Sequence, residues 1–393
     1  MKKIFILNLG TTSFKFKLYH ENEGELTVRA SGEIESVGAA ESRYALQYAD
    51  GTAKSGTVPI PDHGAGFTLF VETLQRDGLL KGLEDLNAVG YKAVHGGSLS
   101  GTRLVDEELL EEMERVAPLA PAHNPIYLTA MRTIRETYPG LTQIARFETS
   151  FHATIPDCRT TYGVPYGWRE EFGIRKYGFH GSSHEYIARK MAELQPEAKR
   201  VISCHLGGSS SICAILDGKS IATSMGATPQ SGLFHNNRVG DFDPFCLPLL
   251  MEKLNCSAEG VLNALSRQSG LLGLSGVSNA LRHVLEAADG GDAHARLAVE
   301  TLVDNIVGYI GMYTAYLGGL DALVFTGGIG LYSGVIRALV CEKLRFMGLV
   351  LDDAANEGSD DRCVSTPDSA VSVWRLKTDE ESIVARNVCA MLI

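Results

Sequence analysis

Apolar positions open the chain as a block, Ile4-Phe5-Ile6-Leu7, and then alternate with polar ones from Phe14 to Tyr19. The block predicts a buried strand over 4–7, and the period of two predicts a second strand over 14–19. Between them, Asn8-Leu9-Gly10-Thr11-Thr12-Ser13 reads as a turn. Apolar residues recur at helical spacing over 65–80, 106–116 and 124–137, and Pro118 and Pro121 mark the loop before the last of these. Residues 298–320 are apolar enough to suggest a membrane span, but Glu300 and Asp304 interrupt them, so a buried helix is expected. Alternating strand-like and helix-like segments make the chain α/β.

The pattern also repeats. Residues 201–216 echo residues 4–19: each is a strand, then x-Leu-Gly, two small polar residues, a serine and a second strand. Two hairpins of one design predict a duplicated domain. A domain crossing is placed near residue 150, at Phe147-Glu148-Thr149-Ser150-Phe151-His152. A third glycine segment, Thr326-Gly327-Gly328-Ile329-Gly330, follows a strand over 322–325 and is expected to be a loop, with helix over 333–347. Strand, glycine loop and helix let backbone amides approach a phosphate closely. The Gly-Lys-Ser/Thr of a Walker loop is absent, so each loop alone is weak; three together favour phosphate handling.

Composition bounds the partners. A length of 393 residues suits two domains, and 45% hydrophobic against 21% charged residues supports a large core. The net charge of −11, without a Lys/Arg-rich run, argues against nucleic acid or an anionic membrane as partner. The opening apolar run stops at Asn8, too short for a secretion signal, and the eight cysteines show no C-x-x-C spacing. Reduced thiols in the cytoplasm are the expectation.

Four segments carry candidate chemistry. Tyr177–His184 sets His180 and His184 four apart, as a helical metal pair would be. Gly181, Ser182 and Ser183 point instead to a loop entering a helix, with one of the serines near the N-cap. Arg238 lies beside the turn Gly240-Asp241-Phe242-Asp243-Pro244, His123 stands at a helix start, and Lys92 precedes the strand end His95-Gly96-Gly97. Taken singly, each reads most simply as a turn, a cap or a solvated side chain.

In this order the segments resemble the acetate kinase family of short-chain carboxylate kinases, of which the chain looks like a divergent member. The resemblance runs from Asn8 to about Asn387. It is carried by Tyr177–His184, Cys204–Gly207, Thr223–Gly226, Arg238–Pro244, Ser269–Gly273 and Phe325–Gly330. It implies an α/β fold of duplicated ribonuclease-H-like, actin-like ATPase domains with an interdomain active-site cleft. The N-terminal domain would be 1–150, joined by 381–393, and the nucleotide-binding domain 151–380. The implied reaction moves the γ-phosphoryl group of ATP to a short carboxylic acid, reversibly, with Mg²⁺ as cofactor, in a cytoplasmic homodimer.

By position, the resemblance makes Glu148, His180, Arg238 and His123 catalytic, and gives Lys92, Val94, Ala122, Phe179 and Pro229 to the acid. It gives Ser13, Lys15, His205, Leu206, Gly207, Gly208, Ser209, Ala280, Leu281, Arg282, Gly328, Ile329, Gly330, Leu331 and Tyr332 to ATP. Asn8 and Glu380 would hold the metal. The family pattern has Arg at Lys92, Asp at Glu148 and a larger apolar residue at Ala122, which hints at a bulkier acid. It has Asn at Gly208, Asp at Ala280, Glu-Asn at Leu331-Tyr332 and Met-Gly-Thr at His235-Asn236-Asn237. Those changes motivate two alternatives: another phosphoryl donor, or a non-catalytic regulator that binds nucleotide or acyl phosphate.

Overall fold

The computed structural model describes residues 1–392. It divides into two units, residues 1–151 with the chain from Asp379 onward, and His152–Thr378.

Unit 1 is built on a sheet ordered β5-β4-β3-β2-β1-β6-β8-β7. Its strands are β1 (Lys2–Leu9), β2 (Ser13–Asn22), β3 (Glu25–Glu35), β4 (Ser42–Tyr48), β5 (Ala53–Val58), β6 (Ala88–Ala93), β7 (Thr102–Leu104) and β8 (Gln143–Phe147). β1 is buried on both faces, which is why its apolar positions run without alternation. Phe5, Leu7 and Leu9 join Phe14, Phe16 and Leu18 of β2 on one face. There Phe5 stacks on Phe16 and meets Phe67 edge-on, at centroid distances of 4.4 and 5.2 Å. Phe67 belongs to α1 (His63–Arg76), which packs beside α3 (Asn124–Thr137), itself flanked by α2 (Glu107–Arg115). Ile4 and Ile6 point to the opposite face, where Val384, Ala385 and Val388 of the helix Glu380–Met391 cover them. Side chains alternate along a strand, so Asn8 shares the face of Ile4 and Ile6 and lies under that helix.

Unit 2 has a sheet ordered β11-β10-β9-β12-β14-β13, from β9 (Arg200–His205), β10 (Ser211–Leu216), β11 (Lys219–Thr223), β12 (Ala322–Thr326), β13 (Arg362–Cys363) and β14 (Ser372–Arg375). The run β11-β10-β9-β12-β14 matches β3-β2-β1-β6-β8. In each, an antiparallel hairpin is followed by two parallel strands. The sequence echo is therefore a structural duplication of the ribonuclease-H-like kind.

The long apolar segment is the helix Ala293–Leu317. Val299, Leu302, Val303, Ile306, Ile310 and Tyr313 line its buried face, while Glu300 and Asp304 are exposed. Among the described residues no helix is long and apolar enough to cross a membrane.

Two local expectations fail. Thr326–Gly330 is not a loop, because Gly327–Tyr332 is helical from its first glycine. The helix expected over 333–347 is also shorter. Ser333 leaves helical geometry at φ −103° and ψ 88° and caps a separate helix, Gly334–Lys343.

Ile306 is fully buried against the unit 2 sheet, whereas Leu297 on the same helix is 53% exposed. Ile306→Ala should therefore cost about 2–5 kcal/mol in the unfolding transition of unit 2. Leu297→Ala should stay within about 0.5 kcal/mol. Urea unfolding followed by circular dichroism measures both.

Candidate active site

In unit 1 the functional candidates cluster around the carboxyl ends of β1, β6 and β8, the edge at which open α/β sheets bind ligands. Asn8, near the end of β1, donates through Nδ2 to Glu381 Oε1 at 3.0 Å. Lys15 stands opposite Asn8 in the β1–β2 register and lies 3.3 Å from Glu33. Ser13 closes the turn, its carbonyl accepting from Gly10 N at 2.9 Å. Lys17 bonds Asp379 at 2.8 Å and lies 3.5 Å from Glu381. Asp379, Glu380 and Glu381 form the N-cap and first turn of the last helix, where the helix dipole favours anions.

Lys92, on β6, is ion-paired with Glu380. Burial works against its charge. The carboxylates of Glu380, Glu148 and Glu381 outweigh burial and hold the ammonium above the ordinary lysine range. The converse holds for Glu381: burial would raise its carboxyl, but Lys92, Lys17 and the Asn8 hydrogen bond keep it below its ordinary value. Glu148 is buried, and its backbone N–H donates to Ala93 O at 2.8 Å, fixing it beside the end of β6. Val94 follows on that segment, half-buried. His123 is the N-cap residue of α3 and makes no side-chain cap bond, and Ala122 before it is exposed. Asn124 Nδ2 donates to His95 O at 2.9 Å and Met113 O at 3.0 Å, tying the start of α3 to the segment after Lys92.

In unit 2 the turn Tyr177-Gly178-Phe179 leads into the helix Gly181–Leu194. Gly178 has φ +76°, and a Cβ there would lie 2.3 Å from Thr223. As expected, a turn enters a helix here with both serines near its N-cap, but neither Ser182 nor Ser183 is the cap itself. The N-cap is His180 itself, in the left-handed region at φ 56°, and both serines lie buried inside the first turn. His180 Nδ1 is 2.8 Å from Ser211 Oγ, and its ring stacks on His205 at 4.2 Å. Phe179 is buried, and His152 Nε2 donates to its carbonyl at 2.9 Å.

The second and third glycine segments clasp one another. Leu206 N donates to Thr326 O at 2.9 Å, and Ile329 and Gly330 donate back to Leu206 O at 2.8 and 3.2 Å. Gly327 has φ +75° with Leu206 O only 2.6 Å from any Cβ, so a side chain there would break the clasp. Arg238 Nη1 donates to Pro229 O at 3.1 Å and Ser209 Oγ at 3.3 Å, bringing those three together. Burial lowers its guanidinium from the ordinary value. His235 accepts from Ser210 N at 2.7 Å, and burial followed by the Arg238 charge pushes its imidazole down to about 3.

Other candidates for the nucleotide stand apart. Ala280 begins the helix Leu281–Asp289 without a side-chain cap, and Ser278 Oγ accepts its N–H at 3.1 Å. Arg282 is exposed, with contacts to His283 and Glu286 on its own helix. Leu331 is buried with its carbonyl held by Arg337, and Tyr332 is 70% exposed.

Sequence reasoning missed Asp379, Glu381, His152, Ser211 and Asn236. The last is instructive. A Cβ on Gly208 would lie 3.7 Å from Asn236 Nδ2, and Asn236 N approaches Gly208 O at 3.4 Å. Position 208 has no side chain of its own, and the Asn236 amide stands beside it. Asn236 Oδ1 is buried without a hydrogen-bond partner among the described residues. Paired departures at 208 and 236 were a visible signal, but only the fold makes them neighbours.

Comparison with known proteins agrees along the whole length. The family model described as the Acetokinase family matches residues 3–386. An acetate kinase of Halothermothrix orenii is 40% identical, covering 99% of each chain. Among solved structures, Porphyromonas gingivalis acetate kinase superposes with a TM-score of 0.90 at 35% identity, covering 100% of both chains. A propionate kinase from Francisella tularensis gives 0.90 at 33% identity, over 98% of this chain and 99% of that one. The chain belongs to the Acetokinase family.

Proposed function

We propose that the protein is a carboxylate kinase that moves the γ-phosphoryl group of ATP to an acid of acetate or propionate size, reversibly, giving an acyl phosphate and ADP. The observation that carries this reading is the full-length likeness to enzymes named acetate and propionate kinases. The local chemistry supports it. Lys92, with Val94, Ala122, Phe179 and Pro229, takes the acid, its ammonium for the carboxylate and the apolar groups for the alkyl end. His180 and Arg238, assisted by His123, meet the charge on the transferring phosphoryl oxygens. Glu148 holds the acidic catalytic position. Ser13, Lys15, residues 205–209, 280–282 and 328–332 surround the nucleotide. The same reading makes the protein a cytoplasmic homodimer.

The reacting acid is already ionised at neutral pH, so its oxygen attacks the γ-phosphorus without a strong general base. The protein's work is alignment and suppression of repulsion between two anions. Asn8 near the end of β1 and Glu380 in the first turn of the last helix suit Mg²⁺: they offer an amide and a carboxylate oxygen, a hard donor set, with Glu381 steadying Asn8. Bound to Asn8 and Glu380, Mg²⁺ would neutralise phosphate charge.

Three outcomes follow. In a hydroxamate assay over a panel of acids, ATP with acetate or propionate should yield acyl phosphate; no product from any acid and donor, in folded protein, would overturn the reading. Arg238→Ala should lower kcat by about 10²–10³ with little change in either KM, because the guanidinium acts on the transition state. Asn236→Ala should raise KM for ATP by about tenfold, the scale of one hydrogen bond to a charged group. It should leave KM for the acid unchanged, and adding Gly208→Asn should restore ATP binding. Initial-rate kinetics read all three constants.

A further inference from the structure

A serine hydroxyl carries one hydrogen, and in unit 2 four side chains form a line in which that limit fixes every proton. Ser203 Oγ lies 2.9 Å from His184 Nδ1, His184 Nε2 lies 2.8 Å from Ser211 Oγ, and Ser211 Oγ lies 2.8 Å from His180 Nδ1. Ser203, His184 and Ser211 are fully buried. Burial, then the neighbouring His152 and His205, pushes the His184 imidazole well below its ordinary range, so it is neutral and holds a single N–H.

Because a serine oxygen can accept twice, mixed arrangements exist, but each leaves the hydrogen of Ser211 or Ser203 without an acceptor among the described residues, so two concerted directions remain to be compared. In the first, Ser203 donates to His184 Nδ1, His184 Nε2–H donates to Ser211, and Ser211 donates to His180 Nδ1. Every member is then satisfied. In the second, each bond reverses, and Ser203 receives the His184 hydrogen. Its own hydroxyl hydrogen then has no acceptor among the described residues, since His184 is the one side-chain partner Ser203 has. A buried unpaired donor is costly, so the first direction holds. With its Nδ1 accepting from Ser211, a neutral His180 must carry its hydrogen on Nε2.

We propose that Ser203, His184 and Ser211 are positioning residues that fix His180 as its Nε2–H tautomer. The consequence rests on the kinase reading above: His180 meets the phosphoryl oxygens as an aligned N–H donor without needing a positive charge. A parallel bond supports the design. Ser183 is fully buried and lies 2.8 Å from His205 Nδ1, which by the same count sends the His205 hydrogen to Nε2. The two stacked imidazoles are thus each held at Nδ1 by a buried serine, which places the hydrogen of each on Nε2.

The test is imidazole ¹⁵N–¹H NMR of the full-length protein labelled at histidine, without ligand, with resonances assigned by single-histidine variants. The expected result is hydrogen on Nε2 for both His180 and His184. Ser211→Ala should mix the His180 tautomers and lower kcat by about tenfold with both KM values within about twofold, a transition-state effect. Ser211→Thr, which keeps the hydroxyl, should recover both the tautomer and kcat. Hydrogen on Nδ1 of His180 in the native protein would overturn the proposal, and so would an unchanged tautomer in Ser211→Ala. The native spectrum decides even where a variant does not fold. It also decides independently of turnover, so a protein that phosphorylates no acid would fail the kinase reading and leave the tautomer assignment to stand or fall by its spectrum.

Discussion

The ion pair between Lys92 and Glu380 is the constraint on which unit 1 depends. It joins the carboxyl-end region of a central strand to the first turn of the last helix, so the chain's final segment is fixed electrostatically as well as by Val384 and Val388 in the core. Both partners are largely shielded, with side chains 15% and 14% exposed. Removing one member of such a pair strands the other's charge, which is far more costly than losing a surface pair. The pair also sets the chemistry. Lys92 faces Glu380, Glu148 and Glu381 together, so its charge is secure, and in the proposed reaction it is shared between the protein's own carboxylates and the acid.

The pair also bears on the net charge of −11. A repulsive overall field does not govern a site where each cation has a local role. Lys17 is committed to Asp379 and Glu381, Lys92 to Glu380, and Arg238 to the neutral oxygens of Pro229 and Ser209. Arg238 therefore differs in kind from the two lysines. It is partly desolvated against neutral acceptors, which fits the role proposed for it toward the phosphoryl group.

Much of the fold was legible in the chain, because burial writes itself into periodicity. The doubly buried β1, the alternating β2, the helices α1, α2 and α3 and the duplicated hairpin all follow from spacing. The face of Asn8 followed as well, once Ile4 and Ile6 were known to be covered. The helical start at Gly327 was not legible, since glycine there serves a close approach to Leu206 O, a contact between segments far apart in sequence. The left-handed cap at His180 was hidden for a similar reason. Serine after glycine favours a capping role locally, but tertiary bonds to His205 and Ser211 claim the region instead. Ser211 itself looked like one small polar residue among several in a hairpin turn. Its importance lies in which two histidines the sheet and the helix Gly181–Leu194 bring to its hydroxyl.

In the proposed reaction the acid's oxygen attacks the γ-phosphorus directly, with His180 and Arg238 as electrostatic partners and no phosphorylated protein on the way. The most direct test is the stereochemical course at phosphorus, using ATP made chiral at the γ-position with sulfur and oxygen isotopes. A single in-line displacement predicts an acyl phosphate of inverted configuration. Retention would require two displacements through a phosphoryl-enzyme, and would contradict the account.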